Sequence, residues 1–427
     1  MRTTILRFVS FVTFLAPILS ATAFAQYSIQ KIEIHGAAPY TDAEVLQVSG
    51  LRPGQMMSHD SLGNAAQHLL DTGVFADAGI QLTGSGTART VLIELKPLPP
   101  SSFAPVTFAN LAWWMPAELD AALRQRVPFY RGGIPPAGNL PDSITAALTS
   151  MLADKGVRGT VVNASVAPTN AHPQPTWEFR LDDPSVRLAS ATLNGTPAAL
   201  APSMQRVIQH ISGAPYNDRA VADELLAPLR DAGYLDAQLT GSTTTVEPAT
   251  SGYTVHYTTT VVPGQIYHVT AIAWQPTSIY AQEAFTHDAK LHSGDLASQK
   301  SLVETEQSIL NAYLHLGYLD AYVDAHPQQD AAAHTVSYSL QVTPGEIYHL
   351  KSVTPLNLSA AAQKDFDFGW LLKPGAVYDP IYTANFLNNN TALRNLSDYT
   401  ASFQAAADTQ THLVDLTIRF FRAGSGQ

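Results

Sequence analysis

The chain has no cysteine among its 427 residues. That excludes a disulfide framework, a thiol nucleophile and any thiolate metal site. Basic residues are scarce too, 24 against 35 acidic, for a net charge of −11. Nucleic acid and anionic membrane surfaces both ask for basic patches, so neither is an expected partner. No apolar run reaches the roughly 20 residues that a membrane-spanning helix needs. The sequence also lacks H-E-x-x-H, G-x-S-x-G and G-x-x-x-x-G-K-[ST] patterns. Of the 14 histidines, His287 and His292 stand five apart, a poor spacing for one helix face. His268 and His349 recur only because the strand around them recurs. No catalytic residue, metal ligand or cofactor is expected.

What is present begins with a leader. Arg2 and Arg7 precede a short apolar run, Phe8 to Leu19, and Ala23-Phe24-Ala25 has the form of a cleavage site. Residues 1–25 are therefore expected to be a signal peptide, with a mature start near Gln26. The remaining chain exceeds what one core usually serves, so several domains are expected.

Internal repetition sets their number. "VVPGQIYHV" (Val261 to Val269) returns as "VTPGEIYHL" (Val342 to Leu350). Strand-like openings of one spacing start at Tyr27, Val186, Tyr267 and Tyr348, and a degraded copy starts at Phe103. The steps are 76, 83, 81 and 81 residues. A second landmark holds the same register: "DTGVFADAGI" at Asp71, "DAGYLDAQL" at Asp231 and "HLGYLDAYV" at His315. Their glycines, Gly73, Gly233 and Gly317, fall 46, 47 and 50 residues after the starts, and Gly156 falls 53 after Phe103. In the fifth copy Asp398 takes the place of the glycine.

Each copy reads strand, helix, helix, strand, strand. Thr41 to Glu44 is a capping box that begins a helix. Gly50-Leu51-Arg52-Pro53-Gly54 breaks it, Ser58 can cap the next, and Gly73 closes that one. In the fourth copy Ser298 starts a helix that Gly317 ends, and Val336, Tyr338, Leu340 and Val342 share one strand face. Pro263-Gly264 and Pro344-Gly345 end one copy, and Ile-Tyr-His begins the next. The repeated phrase is thus a domain seam. "KPLPPSS" and "DDPS" are the other seams, and linkers so short and proline-stiffened make an elongated, semi-rigid array.

A β-α-α-β-β unit of this length, with "GL.PG" between its helices and "GYLDA" after the second, resembles a polypeptide-transport-associated (POTRA) domain. The resemblance implies an α+β tandem array of five such domains. Their bounds are 26–98, 99–184 (divergent), 185–264, 265–345 and 346–427. It also implies a periplasmic location in a Gram-negative bacterium, in association with outer-membrane assembly. Family members follow these domains with a membrane β-barrel; only Ala423 to Gln427 follows "VDLTIRFFR" here, so no barrel is expected.

The resemblance further implies that the second strand of each unit lies at a sheet edge. An open edge offers unpaired N–H and C=O groups to any extended chain. Leu235 to Thr240 and Leu319 to Ala325 are the candidate edges, and Leu235, Ala237, Leu239, Leu319, Ala321, Tyr322 and Val323 the candidate protein-binding residues. Asp236 and Asp320 occupy equivalent places in different units and do not form a catalytic pair. Trp113-Trp114 lies outside the period and is open to partner contact or local packing. The expected function is non-catalytic binding of unfolded outer-membrane protein precursors, or docking on outer-membrane assembly components. A spacer or adaptor that holds partners at its seams, or a barrel-less remnant, is the alternative.

Overall fold

The computed structural model describes residues 27–85, 88–167, 175–275, 277–280, 285, 289–389 and 395–422. The leader expected at 1–25 and His287 lie outside them. The described residues form five open sheets of three or four strands, faced by nine α-helices. By contact they group into two compact units. The first holds residues up to Phe108 with 117–167 and 175–179; the second holds 109–116 and 180–422.

In the first unit, β1 (Tyr27–His35), α1 (Asp42–Ser49), β2 (Met56–Met57), α2 (His59–Asp71), β3 (Phe75–Thr83) and β4 (Ala88–Pro97) build a sheet of order β2-β1-β4-β3. β1 and β4 run parallel, because two helices return the chain between strands. β3 is antiparallel to β4 and forms one edge. The capping box is complete. Glu44 N donates to Thr41 Oγ1 at 3.3 Å, and Thr41 N donates back to Glu44 Oε2 at 2.9 Å. Next come β5 (Ala104–Ala109), α3 (Pro116–Arg126), β6 (Gly133–Ile134), α4 (Leu140–Asp154), β7 (Thr160–Val166) and β8 (Thr176–Asp183). Their sheet order, β6-β5-β8-β7, repeats the first.

The second unit contains three further sheets. β9 (Val186–Asn194), α5 (Ala201–Ile211), α6 (Asp218–Asp231), β10 (Gln238–Ala249) and β11 (Gly252–Val262) make the first of them. β12 (His268–Trp274), α7 (Gln299–His315), β13 (Tyr322–Asp330) and β14 (Thr335–Thr343) make the next. β15 (His349–Leu356), α8 (Ala360–Gly369), α9 (Pro380–Asn388), β16 (Tyr399–Asp408) and β17 (Leu413–Arg422) make the last. The orders are β10-β11-β9, β12-β14-β13 and β15-β17-β16. The last strand of each copy is central, and the strand before it is an edge.

Alternation decides which face is core. On β14, Val336, Tyr338 and Leu340 are buried; on β17, Val414, Leu416, Ile418 and Phe420 are. Each such side chain contributes about 1.5–3 kcal/mol of burial. Ser298 caps α7, its hydroxyl accepting from Ser301 N at 3.2 Å. Among the described residues no helix is long and apolar enough to cross a membrane.

One expectation moves. The candidate edge strands begin at Gln238 and Tyr322 rather than at Leu235 and Leu319. The three residues before each strand form a turn, for a reason that lies at the seams.

Candidate functional site

The two landmarks found in the sequence touch each other. Tyr267 N donates to Gly233 O and Tyr348 N to Gly317 O, both at 2.9 Å. The Tyr267 hydroxyl donates to Asp236 Oδ2 at 2.5 Å, and the Tyr348 hydroxyl to Asp320 Oδ2 at 2.7 Å. Both tyrosines are buried. The hydrogen bond to Asp320, with some burial and the charge of that carboxylate, pushes the Tyr348 hydroxyl up to about 12. Leu235 packs against the core of the following copy, and so does Leu319. These leucines are plugs, which is why they stand in turns before the strand.

The glycines of both phrases make room for this clasp. A Cβ on Gly317 would lie 2.5 Å from Val377 Cγ1 and 3.0 Å from Tyr348 O, and one on Gly345 3.0 Å from Asp320 Cβ. Polar links between neighbouring helices continue the seam. Asp231 Oδ1 accepts from Lys300 N at 2.9 Å at the start of α7, and His315 Nδ1 stands 2.9 Å from Asp379 Oδ2.

The first unit closes its seam differently. Arg131 Nη1 donates to Glu44 Oε1 at 2.9 Å and Nη2 to Oε2 at 2.8 Å, while Phe129 N donates to Oε1 at 3.0 Å. Burial opposes ionisation of Glu44. The Arg131 guanidinium and the donors from Thr41 and Phe129 outweigh it and hold the carboxyl at about 2. Tyr40, Phe75 and Phe129 meet edge to face at centroid distances of 5.0–5.5 Å, and Arg131 lies over the Tyr40 ring at 5.2 Å.

Beside the edge strands run grooves. One of about 860 Å³ lies between α7 and β13, lined by Leu302, Glu306, Tyr322, Asp324 and Tyr338 among others. Another of about 800 Å³ lies between α2 and β3, lined by Leu62, Gly63, Ala66 and Ile80 among others. β13 pairs with β14 without a register shift from Tyr322 to Asp330. Pro327 lies inside that run and has no N–H, so it fits where the N–H would face away from β14. Val323, Ala325 and Gln329 share its parity and present their backbone groups outward.

The seven candidate residues therefore divide. Tyr322 and Val323 lie on β13 at the groove, and Leu239 lies half-buried on β10. Ala237 and Ala321 are buried in their own cores. Leu235 and Leu319 serve the seams, although Leu235 also reaches the α7–β13 groove. Sequence reasoning missed Glu44, read only as a cap, Arg131, and Glu306, an acid on a helix with no marker of its surroundings. Trp113 meets a distant part of the chain, 5.0 Å from the Tyr253 ring on β11, and Ala112 O beside it accepts from Thr244 Oγ1 of β10 at 2.6 Å. Among the described residues no group of three or more histidines and acids is placed to hold a metal ion.

Residues 267–345 match the family model POTRA, described as a surface antigen variable number repeat. Over 188 residues the chain is 25% identical to a candidate outer membrane protein assembly factor of Treponema pallidum (strain Nichols); the match covers 44% of this chain and 22% of that protein. Among solved structures, domains 3–5 of Haemophilus influenzae BamA align at 16% identity and a TM-score of 0.42, over 55% of this chain and 95% of that one. The N-terminal domain of Omp85 from Thermosynechococcus elongatus aligns at 15% identity and a TM-score of 0.17, over 74% and 97%.

Proposed function

We propose that this tandem POTRA-domain chain is a non-catalytic periplasmic protein of outer-membrane assembly. It binds unfolded outer-membrane protein precursors, or docks on assembly components, by adding a strand of the partner to its own sheet edges. One observation carries this reading: β13 is an edge strand whose outward backbone groups border a groove floored by Leu302 and Tyr338. Main-chain pairing gives such binding its tolerance of sequence, and the groove takes alternate side chains. The relative from Treponema pallidum supports the process, and the family match at 267–345 supports the domain type.

Photo-crosslinking from Tyr322 tests it, with Val303, exposed on the same helix that borders the groove, as control. Adducts with an unfolded β-barrel precursor from Tyr322 and not from Val303 are expected. Ala325→Pro removes an outward donor while sparing the β13–β14 ladder, so it should abolish those adducts and leave the thermal midpoint within a few degrees. Equal labelling from both positions would sink the edge reading.

A spacer reading is favoured by a separate fact. The seam side chains Tyr267, Asp236, Tyr348 and Asp320 bind one another. They hold the chain's own domains, which suits a spacer and leaves them unavailable to partners. A single discrete adduct at Tyr322 would point to an adaptor docked on one stable partner.

A further inference from the structure

We infer that the α7–β13 groove selects extended segments that carry a basic side chain, lysine or arginine, seated between Glu306 and Asp324. This rests on the edge-binding reading and names what that edge prefers.

Glu306 shares one face of α7 with Gln299 and Leu302, and all three line the groove. It is half-buried and has no hydrogen-bond or ion-pair partner among the described residues. Burial, followed by the nearby charge of Asp324, pushes its carboxyl above the usual carboxylate range. Asp324 lines the same groove, and among the described residues its ion-pair partner is His326 at 3.5 Å. Burial, followed by the charge of Glu306, pushes the Tyr338 hydroxyl in the same wall above its ordinary range. Arg230 also lines the groove but is paired with Asp223 at 3.6 Å.

The fold does not require this carboxylate. Counted from the helix caps Ser58 and Ser298, the position of Glu306 in α7 is that of Ala66 in α2, and Ala66 lines the corresponding groove. A half-buried carboxylate facing a second one is unfavourable while the groove is empty. A cationic head relieves both, and its methylene stem can lie along Leu302 and Tyr338. An acidic side chain in the same place adds a third like charge and is rejected.

The absence of cysteine makes the test clean. The full chain with Gln329→Cys, at one end of the groove, is equilibrated in a thiol redox buffer with ten-residue peptides. These alternate valine and threonine, end in cysteine, and differ only in a central lysine, glutamine or glutamate; mass spectrometry reads the adduct ratios. The lysine peptide is expected to exceed the glutamate peptide about tenfold, within the range of a partly desolvated charge pair. In Glu306→Gln, with its thermal midpoint unchanged or raised, the ratio should fall to about two, the bias that the exposed Asp324 alone retains. Adducts without charge preference overturn this inference and leave edge binding standing. A preference that stays near tenfold in Glu306→Gln overturns the assignment to Glu306. Adduct levels no higher than those of Gln205→Cys, an exposed site on α5 outside the groove lining, overturn the edge reading itself and this inference with it.

Discussion

The seam at Glu44 and Arg131 and the seams at Tyr267 and Tyr348 solve one problem with different chemistry. In the second unit a hydroxyl and a carboxylate clasp, twice, in the same register. In the first unit a buffered charge pair does it, together with backbone packed on backbone: a Cβ on Gly73 would stand 1.7 Å from Ala137 O. The strand, helix, strand, strand plan repeats because alternation, caps and turns repeat; four of the copies show two helices before the last two strands, and the fourth shows one, α7, among the described residues. Seam chemistry repeats only where the residues at both sides of the seam do. A shared fold therefore does not imply a shared stability, and each seam has its own weak point.

The largest difference should appear on adding one methyl group. Gly73→Ala meets a carbonyl that cannot yield, at φ +77°, and should destabilise the first unit by about 4 kcal/mol. Gly233→Ala is equally left-handed, but its nearest contact is Tyr267 O at 3.1 Å, and about 1–2 kcal/mol is expected. Denaturant unfolding of the two variants should give transitions that differ by that margin. Equal losses would mean that the backbone contact at Ala137 relaxes, and the contrast between seams would go with it.

Charge comes next. The folded pKa of Glu44 is depressed, from 4.5 to about 2. Its contribution is therefore fully present above about pH 4.5 and is lost as pH falls toward 2. With part of the site open to solvent, Glu44→Gln should cost about 2 kcal/mol at neutral pH. The gap between wild type and variant should close between pH 4.5 and 2; a gap that stays constant across that window would refute the ion-pair account. Tyr348→Phe should cost less, about 1 kcal/mol, because Asp320 is exposed and water replaces the lost donor.

The same contrast explains what the chain disclosed in advance. Thr41 with Glu44, Ser58, Ser298, Gly73 and the alternation Val336-Tyr338-Leu340 act over one to four residues, so their spacing is their signature. Gly317-Tyr318-Leu319-Asp320 and Pro344-Gly345 were visible as landmarks. Their contact spans some 28 residues and has no period to betray it. For that reason Leu235 and Leu319 read as strand residues: an apolar side chain before a strand looks the same whether it continues the strand or plugs a neighbour. The edge position of β13 followed from resemblance, but its usable parity needed Pro327 in register with Tyr338. Glu306 was illegible for another reason. An acid on an amphipathic helix reads as a solvated face until an opposing strand is placed beside it.

The smallest expected change in stability makes the sharpest comparison between the two grooves. If one carboxylate distinguishes them, Ala66→Glu should confer on the α2–β3 groove a preference that it lacks. Ala66 is half-buried beside Gly63, which leaves the helix surface open, so the longer side chain can be housed at a cost within about 0.5 kcal/mol. Tethered peptides at Gln81→Cys, in the wall of that groove, should go from near parity between lysine and glutamate to about a threefold bias. The bias should be smaller than in the α7–β13 groove, because Asp324 has no counterpart among the residues lining this one, Asp60 being at the start of α2. A full tenfold bias would show that a single carboxylate suffices and that Asp324 adds nothing. No bias would place the selectivity in the pair, where the mutual repulsion of Glu306 and Asp324 gives a cation more to relieve.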